Sequence, residues 1–243
     1  MHRLFDSYGH RYDLHTPPNH YQHDHQLVID LARERGLPCR LLDIGCGTGV
    51  LVEKARAAHI EAFGLDAAEA MIVAARKRVP ENTVRVQRMQ DLDEQSRYDL
   101  VVSLSWSIHY CADAAELSDI LGRIRAALVP GGALLLQVAH GPNLGGEWGE
   151  DLETGPSGIS DDIALRYRFR ADISTKRVHA DYAYSCASLG ESLEETHTLE
   201  VADAIIVANL IEVSGFRAVE IWDSWRRDAF SQSSMALIWG VRI

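Results

Sequence analysis

Several things are scarce in this chain, and each scarcity excludes something. Its apolar runs are only strand-length, and Met1-His2-Arg3-Leu4-Phe5-Asp6 lacks the basic-then-hydrophobic order of a secretory leader. A soluble, cytoplasmic protein with no membrane partner is therefore expected. Cysteine is sparse: Cys39, Cys46, Cys111 and Cys186 are widely spaced with no C-x-x-C pair, which argues against a disulfide framework or a zinc knuckle. Basic residues are the minority charge, 24 Lys and Arg against 35 Asp and Glu, for a formal net charge of −11. That balance disfavours nucleic acid as a partner, because such binding relies on cations neutralising phosphates. No internal repeat or low-complexity tract interrupts the 243 residues, enough chain for one large α/β domain with a substantial core.

What is present is an alternation of short apolar runs and amphipathic stretches. Residues 24–35 read as a helix with Leu27, Val28 and Leu31 on one face and Gly36 as its stop. Strand 40–44, helix 50–59, strand 62–66, helix 68–79, strands 84–89 and 98–105, helix 113–128 and strand 133–140 follow as a βαβ series. Pro130-Gly131-Gly132 is expected to end the longest of these helices in a turn. The pattern then changes. Residues 141–160 are rich in Gly, Pro and polar side chains and read as a loop or lid, while 163–173, 177–187 and 192–201 alternate as antiparallel strands. A closing helix over 203–213 and strands 216–222 and 235–241 complete the chain.

The most informative segment is Leu41-Leu42-Asp43-Ile44-Gly45-Cys46-Gly47-Thr48-Gly49, an apolar strand that stops on alternating glycines; a second strand then ends on Asp66. Glycines there let backbone turn sharply and approach a ligand, the following helix directs its positive end at it, and Asp66 is placed to accept from two ribose hydroxyls. The dinucleotide fingerprint G-x-G-x-x-G is not met, since Val50 holds its third glycine position. No phosphate-binding G-x-x-x-x-G-K-[ST] is present either. Asp43 places a negative charge where a phosphate would be repelled and a cation welcomed, so a nucleoside carrying a sulfonium and a free amino group fits better than a pyrophosphate.

Leu41–Gly49, Gly64–Met71, Tyr98–Ser105 and Leu128–Val138, taken in order, resemble the class I S-adenosylmethionine-dependent methyltransferases over about residues 40–140. The resemblance implies an α/β, Rossmann-like, seven-stranded, mostly parallel sheet with the last strand antiparallel, plus an inserted antiparallel β cap and an N-terminal helical segment. It divides the chain into a helical lid segment (1–36), a cofactor-binding core (37–140 and 202–243) and a lid loop with β insertion (141–201). Tyr12-Asp13-Leu14 and the insertion are similar to the amino-sugar N,N-dimethyltransferases among the small-molecule enzymes.

The same resemblance places the methionine end of S-adenosyl-L-methionine near Asp43, Gly45, Gly47, Gly49 and Ser105, and the ribose on Asp66. The adenine falls between Ala67 or Met71 and the turn bearing Met89 and Gln90. At that turn Gln87-Arg88 stands where many members carry Gly-Asp, and arginine cannot accept from the adenine amino group. Ser103–Tyr110 occupies the carboxyl end of a central strand, on the ligand-binding side of such sheets. His109 is the candidate general base, with an ordinary pKa of about 6.5; the alternatives are a histidine that only hydrogen-bonds substrate or one that anchors the next helix. Trp106 and Tyr110 either line the acceptor pocket or fill the core beneath the lid. Trp148 reads as a lid contact or an exposed loop anchor. Tyr12, Tyr21 and His25, in the segment that closes over the pocket, are further acceptor-site candidates.

His20, His23 and His25 match no compact zinc pattern, so no metal is expected. Arg166, Arg168 and Arg170 share one strand face opposite Tyr167 and Phe169; they are expected to pair with Glu194, Glu195 and Glu200 on a neighbouring strand or to sit in solvent, attraction of an acidic substrate being the other reading. Together these features imply methyl transfer to a nitrogen or oxygen of a small molecule of secondary metabolism, with S-adenosyl-L-homocysteine as product. Carboxyl O-methylation of a metabolite or short peptide, a nicotinamide-dependent oxidoreductase and a non-catalytic cofactor-binding protein are the alternatives. A homodimer is left open.

Overall fold

A computed structural model describes residues 2–231 and 233–243. The chain opens with a 3-10 turn and helices α1 (Tyr12–His15) and α2 (Gln22–Glu34). The alternating core follows as β1 (Arg40–Ile44), α3 (Val50–Ala57), β2 (Glu61–Asp66), α4 (Glu69–Ala75), β3 (Val84–Val86), β4 (Tyr98–Ser103), α5 (Ala114–Ala127) and β5 (Leu128–Ala139). Four strands, β6 (Trp148–Glu153), β7 (Ile163–Asp172), β8 (Arg177–Cys186) and β9 (Glu191–Leu199), form a separate antiparallel sheet. The chain then returns to the core as α6 (Ala204–Val213), β10 (Phe216–Trp222) and β11 (Met235–Arg242).

The main sheet has the order β10-β11-β5-β4-β1-β2-β3. β1 to β5 run parallel, whereas β11 is antiparallel to both β5 and β10. Parallel strands need both faces covered, which explains why β1, β4 and β5 are almost continuously apolar. One face packs on α5 and α6 through Leu117, Ile120, Leu121, Ile124, Val207 and Ile211. The other packs on α2, α3 and α4 through Val28, Leu31, Leu51, Val52 and Ile72. Asp113 and Asp203 cap α5 and α6 by accepting from the backbone N–H groups two and three residues on.

Two expectations change. Helix α5 ends at Ala127 and β5 starts at once on Leu128, so Pro130-Gly131-Gly132 lies within the strand's irregular first part. Arg242 fastens that junction, its guanidinium donating to the carbonyls of Arg125 and Ala126. In the insertion, residues 148–153 form the edge strand β6 in place of open loop, giving the cap four strands where three were expected.

The arginine face of the cap also finds different partners. Arg168 and Arg170 both grip Asp181, whose carboxyl is pushed far below the usual range mainly by Arg170. Arg166 lies near Glu150 at 3.8 Å, and Arg177 pairs with Glu200. The reason is register: β8 lies between β7 and β9, so the acid within reach of the β7 arginines is Asp181. Glu194 and Glu195 instead receive Arg3 from the N-terminal segment, through a backbone carbonyl and a carboxylate respectively.

Candidate active site

In the sheet, β1, β2 and β3 lie on one side of β4 and β5, and the connectivity reverses between β1 and β4. In open α/β sheets a ligand crevice forms at such a switch point, beyond the strands' carboxyl ends. A cavity of about 590 Å³ sits there, lined from the core by Asp43, Gly45, Gly47, Asp66, Ala67, Met71, Met89, Gln90 and Ser105. Residues from the N-terminal segment, among them Phe5, Tyr12, Thr16, Tyr21 and His25, close it from the other side.

The glycine loop is shaped by its own hydrogen bonds. Gly45 and Cys46 donate their N–H groups to Leu65 C=O at 2.8 and 3.0 Å, folding the loop back onto β2. Gly45 has φ +76°, and a Cβ there would stand 2.6 Å from Ser107 Oγ. Gly47 has φ +52° and nothing within 4 Å of its missing side chain, so its backbone borders open space. Gly49 has another task than the expected cofactor contact. It is the left-handed residue before α3, and its missing Cβ lets α4 approach at Ala75, so it serves packing and does not line the cavity.

Two carboxylates dominate the electrostatics. Asp66 Oδ2 accepts from Gly47 N–H at 3.0 Å and Oδ1 from Ala68 N–H at 2.8 Å, leaving a lone pair on each oxygen for a vicinal pair of hydroxyls. Burial raises its pKa despite those two bonds. Asp43, at the tip of β1, is buried and faces the cavity; burial first, and then the neighbouring charge of Asp66, lift its carboxyl to about 7. A buried acid beside another acid is an arrangement that a cationic ligand relieves. The donor set therefore fits an adenosyl ligand with an amino group and a sulfonium, and opposes a pyrophosphate.

Further round the cavity, Met89 and Gln90 sit on the 3-10 turn after β3. Gln90 Nε2 reaches Tyr110 C=O at 3.3 Å and Glu116 at 3.2 Å, which ties this turn to the start of α5. Ser105 takes a left-handed backbone (φ +50°), held by its N–H donating to Gln137 Oε1 at 2.6 Å. Tyr21 lines the cavity, and His25 Nδ1 meets Lys54 Nζ at 3.2 Å. Lys54 also donates to Pro18 C=O, so the helix after the glycine loop holds the N-terminal segment directly.

Three sequence candidates fall elsewhere. His109 cannot act as the general base: it is fully buried, its Nδ1 lies 2.8 Å from Glu200 C=O, and its Nε2 accepts from Ala139 N–H at 2.9 Å. Both nitrogens are committed, the ring is neutral, and burial brings its pKa to about 4. It ties β5 to the chain after β9, a structural role different from the expected anchoring of the next helix. Trp106 packs against Phe169 at 4.7 Å in the apolar seam between core and cap, away from the cavity. Trp148 lies on β6 and stacks under the guanidinium groups of Arg166 and Arg168, at 4.9 and 4.7 Å, on the cap rather than at the cavity mouth.

Sequence reasoning missed other residues. Asp13 accepts from Thr48 Oγ1 at 2.6 Å and pairs with Arg78 at 2.5 Å, clasping the N-terminal segment to the glycine loop. Arg3 and Arg11 hold the same segment to β9 through Glu195 and Glu191. Tyr12-Asp13-Leu14 drew attention as a motif, but nothing in it named Thr48 or Arg78, more than thirty residues away. Gln137 is an isolated amide in an apolar strand, and that isolation was the signal available for it.

Comparison with known proteins agrees with this geometry. Residues 41–132 match the family model described as a methyltransferase domain. A dTDP-4-amino-2,3,4,6-tetradeoxy-D-glucose N,N-dimethyltransferase from Saccharopolyspora spinosa is 31% identical over 112 residues, 45% of this chain and 45% of that protein. A dTDP-3-amino-3,4,6-trideoxy-alpha-D-glucopyranose N,N-dimethyltransferase from Streptomyces venezuelae is 32% identical over 111 residues, 45% of this chain and 47% of that protein. The aligned stretch thus spans about half the length of these relatives. Among solved structures, the CcbJ methyltransferase from Streptomyces caelestis superposes with TM-score 0.75 at 21% identity, covering 93% of this chain and 91% of that one. The sugar N-methyltransferase KedS8 from Streptoalloteichus sp ATCC 53650 gives TM-score 0.73 at 24% identity, covering 95% and 92%.

Residues 41–132 match a methyltransferase domain, and the sheet order and glycine loop resemble those of the class I, Rossmann-like S-adenosylmethionine-dependent methyltransferases. Over 112 and 111 residues its sequence is similar to two amino-sugar N,N-dimethyltransferases.

Proposed function

We propose that this protein is an S-adenosylmethionine-dependent methyltransferase acting on a nitrogen or oxygen of a small molecule, with an amine on a sugar of secondary metabolism as the leading acceptor. The observation that carries the reading is the pair Asp43 and Asp66, two buried or half-buried acids flanking an open glycine loop at the switch point. The acceptor class draws on the amino-sugar relatives.

When bound, S-adenosylmethionine supplies an electrophilic methyl group on a sulfonium. The chain's own residues have little chemistry to perform, because displacement in line depends on holding two partners in attack geometry and excluding water; such positioning is worth roughly 7–11 kcal/mol. Asp66 would hold the ribose hydroxyls, Asp43 the cationic end, and Gly45 and Gly47 would give backbone access. Ala67, Met71 and Met89 would flank the adenine, with Gln90 bracing the turn that carries Met89. Ser105 would stand beside the methionine end, Tyr12, Tyr21, His25 and Tyr110 would face the acceptor, and residues 2–21 would cover it. With His109 committed elsewhere, no histidine base is assigned, which suits an amine that arrives neutral.

Among the described residues, no helix is long and apolar enough to cross a membrane, and all four cysteines are buried free thiols. A cytoplasmic enzyme working on a diffusible metabolite is consistent with both. The test is a screen for transfer of label from [methyl-¹⁴C]S-adenosylmethionine to amino sugars, hydroxylated sugars, phenols and carboxylates. Labelled amine or ether products are expected, and a chain that binds the cofactor yet labels nothing in the panel would speak for a non-catalytic role.

A further inference from the structure

Behind Tyr110 runs a line of hydrogen bonds that methyl transfer, as described above, leaves unused. Glu195 and His197 both lie on β9 of the cap. Glu195 Oε1 is 2.5 Å from His197 Nε2, and His197 Nδ1 is 2.6 Å from the Tyr110 hydroxyl. The His197 ring is wholly buried, stacked on His2 at 3.7 Å and flanked by Phe5 and Tyr182 at 5.2 and 4.9 Å. Tyr110 itself lines the cavity.

Donor and acceptor arithmetic fixes the direction of this line. An ionised carboxylate only accepts, so His197 must carry its proton on Nε2. Nδ1 is then bare and also only accepts, so the Tyr110 O–H must donate to it. The remaining capacity of the Tyr110 oxygen is lone pairs, with no proton left to offer a ligand. The surroundings favour the same protonation states. The Glu195 carboxyl is lowered, with the Arg3 backbone N–H and His197 among the groups holding it there, and burial, reinforced by His2, takes His197 to about 4.

We infer that Tyr110 is a specificity-determining contact whose oxygen accepts a hydrogen from the methyl acceptor, so that the site takes N–H or O–H acceptors and discriminates against carboxylates. This rests on the methyltransferase reading and narrows it. A carboxylate would set lone pairs against lone pairs at the Tyr110 oxygen, the kind of mismatch that buried polar groups reject strongly. Glu195 and His197 act through Tyr110 and are positioning residues.

His2, Glu195 and His197 also bring three ligand atoms within 4.8 Å of one another. Metal binding needs imidazole lone pairs to converge in the planes of both rings, whereas these rings lie face to face with 28° between their planes. The hydrogen-bonded arrangement therefore accounts for the group better than an ion does.

The deciding measurement is long-range ¹H–¹⁵N NMR of the full chain labelled at histidine, at pH 7, with His197 assigned by its loss in His197→Asn. The expected result is a neutral ring protonated at Nε2 with Nδ1 as acceptor. Protonation at Nδ1, or an Nε2 occupied by metal, would overturn the inference. Glu195→Gln supplies the reversal: the Arg3 backbone N–H, 2.8 Å from Oε2, retains the amide oxygen and turns the NH₂ toward His197. His197 should then switch to the Nδ1–H form.

In parallel, glucosamine, methyl glucoside and glucuronate serve as matched amine, hydroxyl and carboxylate probes for labelled methyl transfer. Tyr110→Phe should lower kcat/KM for the amine at least tenfold, mainly through KM, with S-adenosylhomocysteine affinity within twofold of wild type. Alkali-labile methyl ester formed on glucuronate faster than label on glucosamine would contradict the proposal. Loss of S-adenosylhomocysteine binding in the wild-type protein would instead defeat the methyltransferase reading, leaving the tautomer result to stand on its own.

Discussion

Asp43 and Asp66 end neighbouring parallel strands, and the charge of the second, added to burial, lifts the carboxyl of the first to about 7. The free protein therefore holds a proton near the cofactor loop that an ordinary aspartate would have lost. Stability and ligand binding are coupled through that one group.

The sign follows from linkage. Asp43 has a folded-state pKa near 7 against about 3.9 unfolded, so the folded protein binds the proton more tightly and loses stability as pH rises from about 4 to 7. Asp43→Asn removes this penalty. Denaturant unfolding of both proteins from pH 4.5 to 7.5 should show the variant gaining on wild type by a few kcal/mol across that window. A difference that stays constant with pH would contradict the assignment.

Asp66→Ala should act on affinity more than on fold. It removes the acceptor for two hydroxyls and also unties Gly47 and Ala68, each of which donates to this carboxylate. Hydrogen bonds to a charged group contribute about 1.5–3 kcal/mol, so S-adenosylhomocysteine should bind roughly 10- to 100-fold more weakly by calorimetry. Unchanged affinity in a folded variant would remove Asp66 from the site.

His109→Ala separates a base from a brace. Loss of a fully buried ring with two hydrogen bonds should cost about 2–5 kcal/mol of stability. The pH–rate profile of whatever variant remains folded should keep the wild-type shape. Disappearance of a limb from that profile would restore His109 as a proton acceptor.

Asp13→Ala should loosen the cover. Asp13 joins the N-terminal segment to Thr48 and Arg78, both partly exposed pairings, so the cost in global stability should stay near 1 kcal/mol or less. The dissociation rate of S-adenosylhomocysteine should rise several-fold, and limited proteolysis should cut more readily before Gln22. Equal release rates would show that this clasp does not retain the ligand.

Much of the fold was legible because β1, β4 and β5 are buried on both faces and read as apolar runs, and because Asp113 and Asp203 announce their helices. The Gly45, Gly47 and Asp66 site was legible for a similar reason: backbone conformation and strand ends leave local marks. What escaped was long-range. No local pattern says that β8 inserts Asp181 between the arginines and Glu194, or that His109 spends both nitrogens on backbone groups while His197 joins Glu195 to Tyr110. Nor did the Gly and Pro content of residues 141–160 betray the edge strand β6, whose pairing with β7 overrides its weak propensity.

The most direct test of the account is calorimetric titration of the protein with S-adenosylhomocysteine, and in parallel with NAD, at pH 7 in two buffers of different ionisation enthalpy. The account predicts one S-adenosylhomocysteine per chain, release of about half a proton as the amino group meets Asp43, and no heat from NAD. Binding of NAD, or a silent titration with S-adenosylhomocysteine, would contradict it.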